Sequence, residues 1–225
     1  GVVEVSVPIR PTDRSLAVLA ERERRAEGLS MQGLLAPSGV LVHASGEEGA
    51  LLGARVRASI ARGFTGPVLT STTAAELADA ATGGLPTLAV VAAPPEEVVE
   101  ILPVLAEGGV HAVALLTAGF TTSGEGGLTS QRALVRALRE HGLRLLGPRS
   151  FGVIVEGEAG RLDATLATEP VPAGDVGVFC QSSAAARGLL ARLAHRGVGV
   201  SSFVSAGLRV DVSGNDTMQF WTTDD

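Results

Sequence analysis

The stretch HASGEEG, residues 43–49, follows the apolar run GVLV and leads into a helical pattern. A strand that ends in a glycine-bearing loop and opens a helix can offer free backbone N–H groups to a phosphate. Here Glu47 and Glu48 fall in that loop and oppose an anion, and the run is not G-x-G-x-x-G. A second candidate is CQSSAAARG, residues 180–188. Gln181, Ser182 and Ser183 bring hydroxyls and N–H groups to a positive helix end. They read either as an ordinary serine cap or as a phosphoryl-binding helix terminus. Three further loops combine small residues with a strand end: AAPP (92–95), TAGFTTSGEGG (117–127) and GPRSFG (147–152). In an open parallel sheet, ligands sit beyond the carboxyl ends of the strands, where these loops gather.

Other chemistry is excluded by residue type. All 18 basic residues are arginine, so no lysine can form a Schiff base or clamp a phosphate. Tyrosine is absent. The single cysteine, Cys180, precludes an internal disulfide and reads as a small buried hydrophobe suited to a cytoplasm, which is the expected location. His111 and His141 flank helix ends, and His195 suits a last helical turn, where a cation is favourable. No histidine pair and no His–Cys or His–acid group has metal-ligand spacing, so no metal is expected. Asp211, Asn215 and Asp216 read as turn and cap residues. No G-x-S-x-G elbow is present, and no catalytic residue is assigned. The net charge of −6 argues against nucleic acid. No apolar run reaches the roughly 18 residues of a membrane span, and no signal peptide is read at the start.

The elements that must position these loops alternate regularly. Strands are read at 39–44, 67–70, 86–94, 110–120 and 143–148, and helices at 49–63, 73–82, 95–109 and 126–142. Continuous apolar strands alternating with helices predict an α/β fold, a Rossmann-like doubly wound parallel sheet. Before it, residues 1–12 alternate like a strand and 13–28 form a charged amphipathic helix. Residues 1–30 are therefore read as the end of a preceding domain plus a linker helix. The main domain covers 31–156, residues 157–174 are a connector, and 175–225 restart the alternation as a partial flavodoxin-like α/β domain. Two strands and two helices there are too little for an open sheet standing alone.

From Met31 onward the chain resembles the NDP-forming acyl-CoA synthetases, relatives of the succinyl-CoA synthetase α subunit. The resemblance is carried by GFTGPV (63–68), LAVVAAPPEEVVEIL (88–102), HAVALLTAGF (111–120), LRLLGPRSFGV (143–153), DATLA (163–167), SSFVSAG (201–207) and DVSGNDTMQFWTTDD (211–225). It implies a CoA-binding Rossmann domain followed by a succinyl-CoA-ligase-like domain. It further implies CoA or acyl-CoA contacts at Ala44, Ser45, Gly46, Thr70, Ala92, Ala93, Pro94, Thr117, Ala118, Gly119 and Arg149, and a phosphate-binding helix start at Gln181, Ser182 and Ser183. The implied partner is a CoA ester, with a β-type ligase domain beside it; self-association stays open. GVVEVSVPIRPT (1–12) resembles the last strand of a GNAT-type N-acetyltransferase, which implies a linked acetyltransferase domain.

The chain departs from the family pattern at five motifs. The usual Gly-Ala-Ser is His43-Ala44-Ser45, and the usual Val-Asn-Pro end of the second strand is LTSTT (69–73). Gly-Pro-Asn becomes Gly147-Pro148-Arg149. Ser-Gln-Ser-Gly becomes Cys180-Gln181-Ser182-Ser183, and a Gly-Asn start becomes Gly207-Leu208. None of the four histidines has the His-Thr-Gly context of the family's phosphorylated histidine. The expectation is an imidazole crowding the cofactor crevice and a catalytically degenerate domain that regulates a linked acetyltransferase. The alternative is a functional α-type ligase part whose phosphohistidine lies beyond this chain.

Overall fold

The computed structural model describes residues 31–120 and 125–222. The strand read in 1–12 and the helix read in 13–28 lie outside them. A short helix α1 (Gln32–Leu35) leads into β1 (Val40–Ala44), α2 (Gly46–Ile60), β2 (Val68–Ser71), α3 (Ala74–Thr82), β3 (Leu88–Ala92), α4 (Pro95–Glu107), β4 (Ala112–Leu115), α5 (Glu125–His141) and β5 (Arg144–Leu146). The five strands form one parallel sheet in the order β2-β1-β3-β4-β5. The expected doubly wound α/β architecture is present. Its strand order reverses between β1 and β3, the position where such sheets open a ligand crevice.

Alternation along β1 sends its side chains to two cores. Val40, Val42 and Ala44 join a cluster with Val56 and Ile60 of α2, while Leu41 joins a cluster built on α4 and α5. Period-2 geometry puts His43 on the Leu41 side. Helix α2 lies close on the sheet because the residues that meet it, Gly49 and Gly53, are glycines. A Cβ at Gly49 would stand 2.1 Å from the Ala92 carbonyl oxygen, and one at Gly53 2.4 Å from Ala44 Cβ. The helix also starts at Gly46, three residues earlier than the sequence suggests. Glu47 and Glu48 therefore occupy its first turn, where carboxylates complement the helix dipole.

The end of the main domain and the connector 157–174, where no strand was read, carry β6 (Gly152–Val155) and β7 (Leu162–Thr165), an antiparallel pair. The remaining elements are β8 (Val176–Cys180), α6 (Ser183–His195), β9 (Val200–Ser205) and α7 (Gly214–Trp221). β6 pairs antiparallel with β9, and β9 parallel with β8, giving a second sheet in the order β7-β6-β9-β8. The hairpin thus supplies the strands that the C-terminal half needs for a stable sheet. The signal was missed because no helix separates β6 from β7: a glycine-bearing turn joins them, which breaks the strand–helix alternation.

The two sheets share α2 as a common layer. Its Val56 and Ile60 cluster with Val153, Val155, Leu162 and Ala164 of the hairpin. Arg144 on β5 fastens the C-terminal half at another point: its Nε donates to Asp211 at 2.9 Å and its Nη2 meets Asp216 at 3.2 Å. Asp211 also accepts the Leu145 N–H at 2.8 Å, and Asp216 closes a capping box with Ser213 at the start of α7. These acids therefore act as turn and cap residues. Among the described residues, no cluster of His, Cys, Asp and Glu fits a metal ion, and no helix is long and apolar enough to cross a membrane.

Candidate functional site

Beyond the carboxyl ends of β1, β3 and β4 lies a crevice of about 270 Å³. Ser45 to Gly49 line one side, Ala93 to Pro95 the next, and Thr117 with Ala118 the third. Of the expected cofactor contacts, Ser45, Gly46, Ala93, Pro94, Thr117 and Ala118 meet here. Ala44 and Ala92 stand behind them as the buried last residues of β1 and β3. Gly119 is adjacent, in the left-handed region at φ 100°, and a Cβ there would strike Pro95 Cγ at 2.3 Å. Gly46 also has positive φ, 70°, a conformation open to glycine at little cost.

Thr70 and Arg149 do not line this crevice. Thr70 is exposed on β2 beside Val42. Arg149 sits at φ 59° in the loop after β5; its N–H donates to the Thr117 carbonyl at 3.1 Å and its own carbonyl accepts the Ser183 hydroxyl. Gln181, Ser182 and Ser183 form the start of α6, away from the crevice lining. Ser182 is an N-cap, its oxygen accepting from the Ala185 N–H at 3.3 Å. Cys180 is half-buried and donates its thiol to the Ser182 carbonyl at 3.3 Å, so it is not a fully buried hydrophobe.

The expectation that the His43 imidazole crowds the crevice is wrong. His43 is fully buried and is not among the lining residues. Its ring lies on the opposite face of β1, between Ser71 on β2 and Glu97 on α4. Nε2 and Glu97 Oε1 are 2.9 Å apart, as are Nδ1 and Ser71 Oγ. A carboxylate has no hydrogen to give, so Nε2 donates to Glu97, and in the neutral ring Nδ1 accepts from the Ser71 hydroxyl. The second oxygen of Glu97 accepts the Ser45 hydroxyl at 2.6 Å. Nearby, Glu76 is held below the ordinary carboxylate range, chiefly by the Thr72 N–H and hydroxyl.

Sequence reading missed Ser71 and Glu97. They lie 28 and 54 positions from His43 along the chain. The register His43↔Ser71 is a cross-strand pair, visible only once β1 and β2 are aligned.

The crevice has few hydroxyl hydrogens to offer a ligand. Ser45 gives its hydrogen to Glu97, and Thr117 gives its own to the Ala93 carbonyl at 2.7 Å. What remains are backbone amides at the start of α2, hydroxyl lone pairs, small apolar surfaces and the acidic residues Glu47 and Glu48. That set can hold an anionic group through N–H donors while accepting N–H or O–H groups from the rest of a ligand.

Residues 173–225 match the succinyl-CoA ligase like flavodoxin domain, and 40–156 match the CoA binding domain family. The α subunit of acetate–CoA ligase (ADP-forming) I from Pyrococcus furiosus is 30% identical over 138 residues, which is 61% of this chain and 29% of that protein. A trans-feruloyl-CoA synthase from an unknown prokaryotic organism is 34% identical over 140 residues, 61% of this chain and 20% of that one. The chain thus spans less than a third of the length of these curated relatives. Among solved structures, dinucleotide forming acetyl-coenzyme A synthetase 1 of Ca. Korarchaeum cryptofilum, in complex with phosphate and ADP, superposes with a TM-score of 0.75 at 27% identity, over 87% of this chain and 43% of that one. A protein of Pyrococcus horikoshii OT3 shares the fold with a TM-score of 0.72 at 23% identity, over 87% of this chain and 46% of that one. The matched segment 40–156 contains the whole parallel sheet and every residue that lines the crevice; the chain belongs to the CoA-binding domain family.

Proposed function

We propose that this chain binds a CoA ester in the crevice between β1 and β3 and forms the α-type part of an NDP-forming acyl-CoA ligase. One observation carries the reading: the imidazole that stands in place of a loop glycine is folded into the sheet, so it leaves the crevice open. In this reading the cofactor contacts are Ser45, Gly46, Ala93, Pro94, Thr117 and Ala118, with Ala44, Ala92 and Gly119 shaping the walls. Thr70 and Arg149 are more distant contacts, reached by a ligand that extends out of the crevice. The Ser183 hydroxyl is donated to the Arg149 carbonyl, whereas Ser182 only accepts through its oxygen, so phosphoryl contact at α6 falls to the Ser182 hydroxyl hydrogen and backbone amides. The partner is a β-type ligase domain. A linked acetyltransferase rests only on residues 1–12, outside the described structure.

Calorimetric titration with CoA and acetyl-CoA tests the binding. Micromolar affinity, lost when Gly46→Val forces a β-branched residue into positive φ, supports it; no heat at millimolar ligand overturns it. A second reading, a CoA-responsive module without ligase turnover, is favoured by Glu47 and Glu48, two acidic residues among those that line the crevice. Incubating the full-length protein with radioactive ATP separates the two. An acid-labile phosphoprotein supports the ligase, and its absence in the presence of a β-type partner supports the binding module.

A further inference from the structure

Four helices of the described chain begin at a serine or threonine: α2 at Ser45, α3 at Thr73, α6 at Ser182 and α7 at Ser213. Three of these hydroxyls do what such residues do at a helix start. Thr73 accepts the Glu76 N–H, Ser182 the Ala185 N–H and Ser213 the Asp216 N–H. Ser45 does not; α2 has no side-chain cap. The run Ser45-Gly46-Glu47-Glu48 even has capping-box spacing, yet neither half forms. The Ser45 N–H donates to the Ala92 carbonyl at 3.0 Å, and its hydroxyl donates to Glu97 Oε2 at 2.6 Å.

The reason lies in what holds Glu97. Its other oxygen accepts from His43 Nε2, and that ring is fully buried and fixed at its far nitrogen by Ser71. A carboxylate so held presents a strong, stationary acceptor on α4, outside α2, and with its hydroxyl aimed there Ser45 caps no amide of α2, whereas the carboxylate that Ser213 reaches lies within its own helix start. The exceptional helix is the one whose first turn lines the crevice.

We propose that Glu97, braced by His43, is a positioning residue that draws the Ser45 hydroxyl off the start of α2 and so keeps the first-turn amides open to an anionic group of the CoA ester. This rests on the CoA reading above. His43 is thereby part of the binding apparatus, although it never touches the ligand.

The test is a double-mutant cycle on the whole chain. CoA affinity is measured by calorimetry for wild type, Ser45→Ala, Glu97→Ala and the double variant. Removing Glu97 also removes a negative charge, which alone favours an anion, so the informative quantity is the coupling. Glu97→Ala should weaken CoA about fivefold more when Ser45 is present than in the Ser45→Ala background, the equilibrium weight of one hydroxyl cap. Equal factors in both backgrounds would overturn the proposal. Amide exchange in the absence of ligand gives a second readout. The Glu47 or Glu48 N–H should exchange more slowly in Glu97→Ala, and the slowing should vanish when Ser45→Ala is added; no slowing sinks the proposal. If wild type binds no CoA, the binding reading fails while the exchange data still decide the positioning role. If Glu97→Ala does not fold, Glu97→Gln keeps a carbonyl acceptor for His43, offers Ser45 an N–H instead, and is read by the same coupling.

Discussion

Gly49→Ala adds one methyl group where α2 crosses the end of β3. The new carbon would lie 2.1 Å from the Ala92 carbonyl oxygen and 3.0 Å from its carbon. An ordinary carbon–oxygen contact is over an ångström longer, so α2 has to lift off the sheet. Rotating a side chain gives no relief, because the obstacle is backbone. The same carbonyl accepts the Ser45 N–H at 3.0 Å, so lifting the helix also strains the link that fixes the loop. Overpacking of this kind costs about 1–3 kcal/mol, and a weakened backbone hydrogen bond adds about 1 kcal/mol. Together they predict a Tm lower by about 5–15 °C for a chain of this size. The crevice wall moves with the helix, so CoA affinity should fall alongside stability. Urea melts and calorimetry on Gly49→Ala are compared with Gly126→Ala, where an added Cβ meets nothing within 4 Å. The control should be neutral or slightly stabilising, since alanine is the better helix former. Equal stability for Gly49→Ala and wild type would refute the close helix–strand packing.

Three other outcomes follow from the same geometry. His43→Gly, which restores the glycine found in the family's loop, should not tighten CoA binding and should cost about 2–4 kcal/mol by emptying a buried site and stripping Ser71 and Glu97 of a partner; a tenfold gain in affinity would revive the crowding argument. Ser182→Ala should lower stability by about 1 kcal/mol through the lost cap while leaving CoA affinity unchanged, as paired melts and titrations would show. Burial pushes the Asp216 carboxyl up, but hydrogen bonds from the Ser213 hydroxyl and N–H, together with Arg144, outweigh it and hold it below the ordinary 3.8. Its stabilisation is therefore present above that pH and lost as pH falls through the lower folded value, so urea midpoints should drop in acid more for wild type than for Asp216→Asn.

The parallel sheet was legible because its first four strands are each followed by a helix with clear end signals, and all but β2 are largely apolar. Thr73, the Pro95-Glu96-Glu97 turn and Gly142 mark boundaries by mechanisms that do not depend on tertiary context. The loops of the crevice were legible for the related reason that topology puts them at one edge. The hairpin of β6 and β7 was not, since its strands pair antiparallel through a turn and lie outside the strand–helix alternation that marked the others. The chemistry of position 43 was not legible either. Reading a loop motif by alignment treats residue 43 as part of the loop, whereas the register His43↔Ser71 makes it the penultimate residue of a strand.

That one-residue distinction decides what the substitution means. A side chain in the loop from Ser45 onward would line the crevice, and an imidazole there would be an obstacle. Within the strand, the pleat turns the ring at position 43 to the face opposite Val42 and Ala44, where it needs polar partners or becomes a costly buried group. Ser71 and Glu97 meet that need. Glu97 is long enough to serve His43 with one oxygen and Ser45, on the crevice side, with the other. A substitution that looks like decay in a linear motif thus arrives with two compensating residues from different elements.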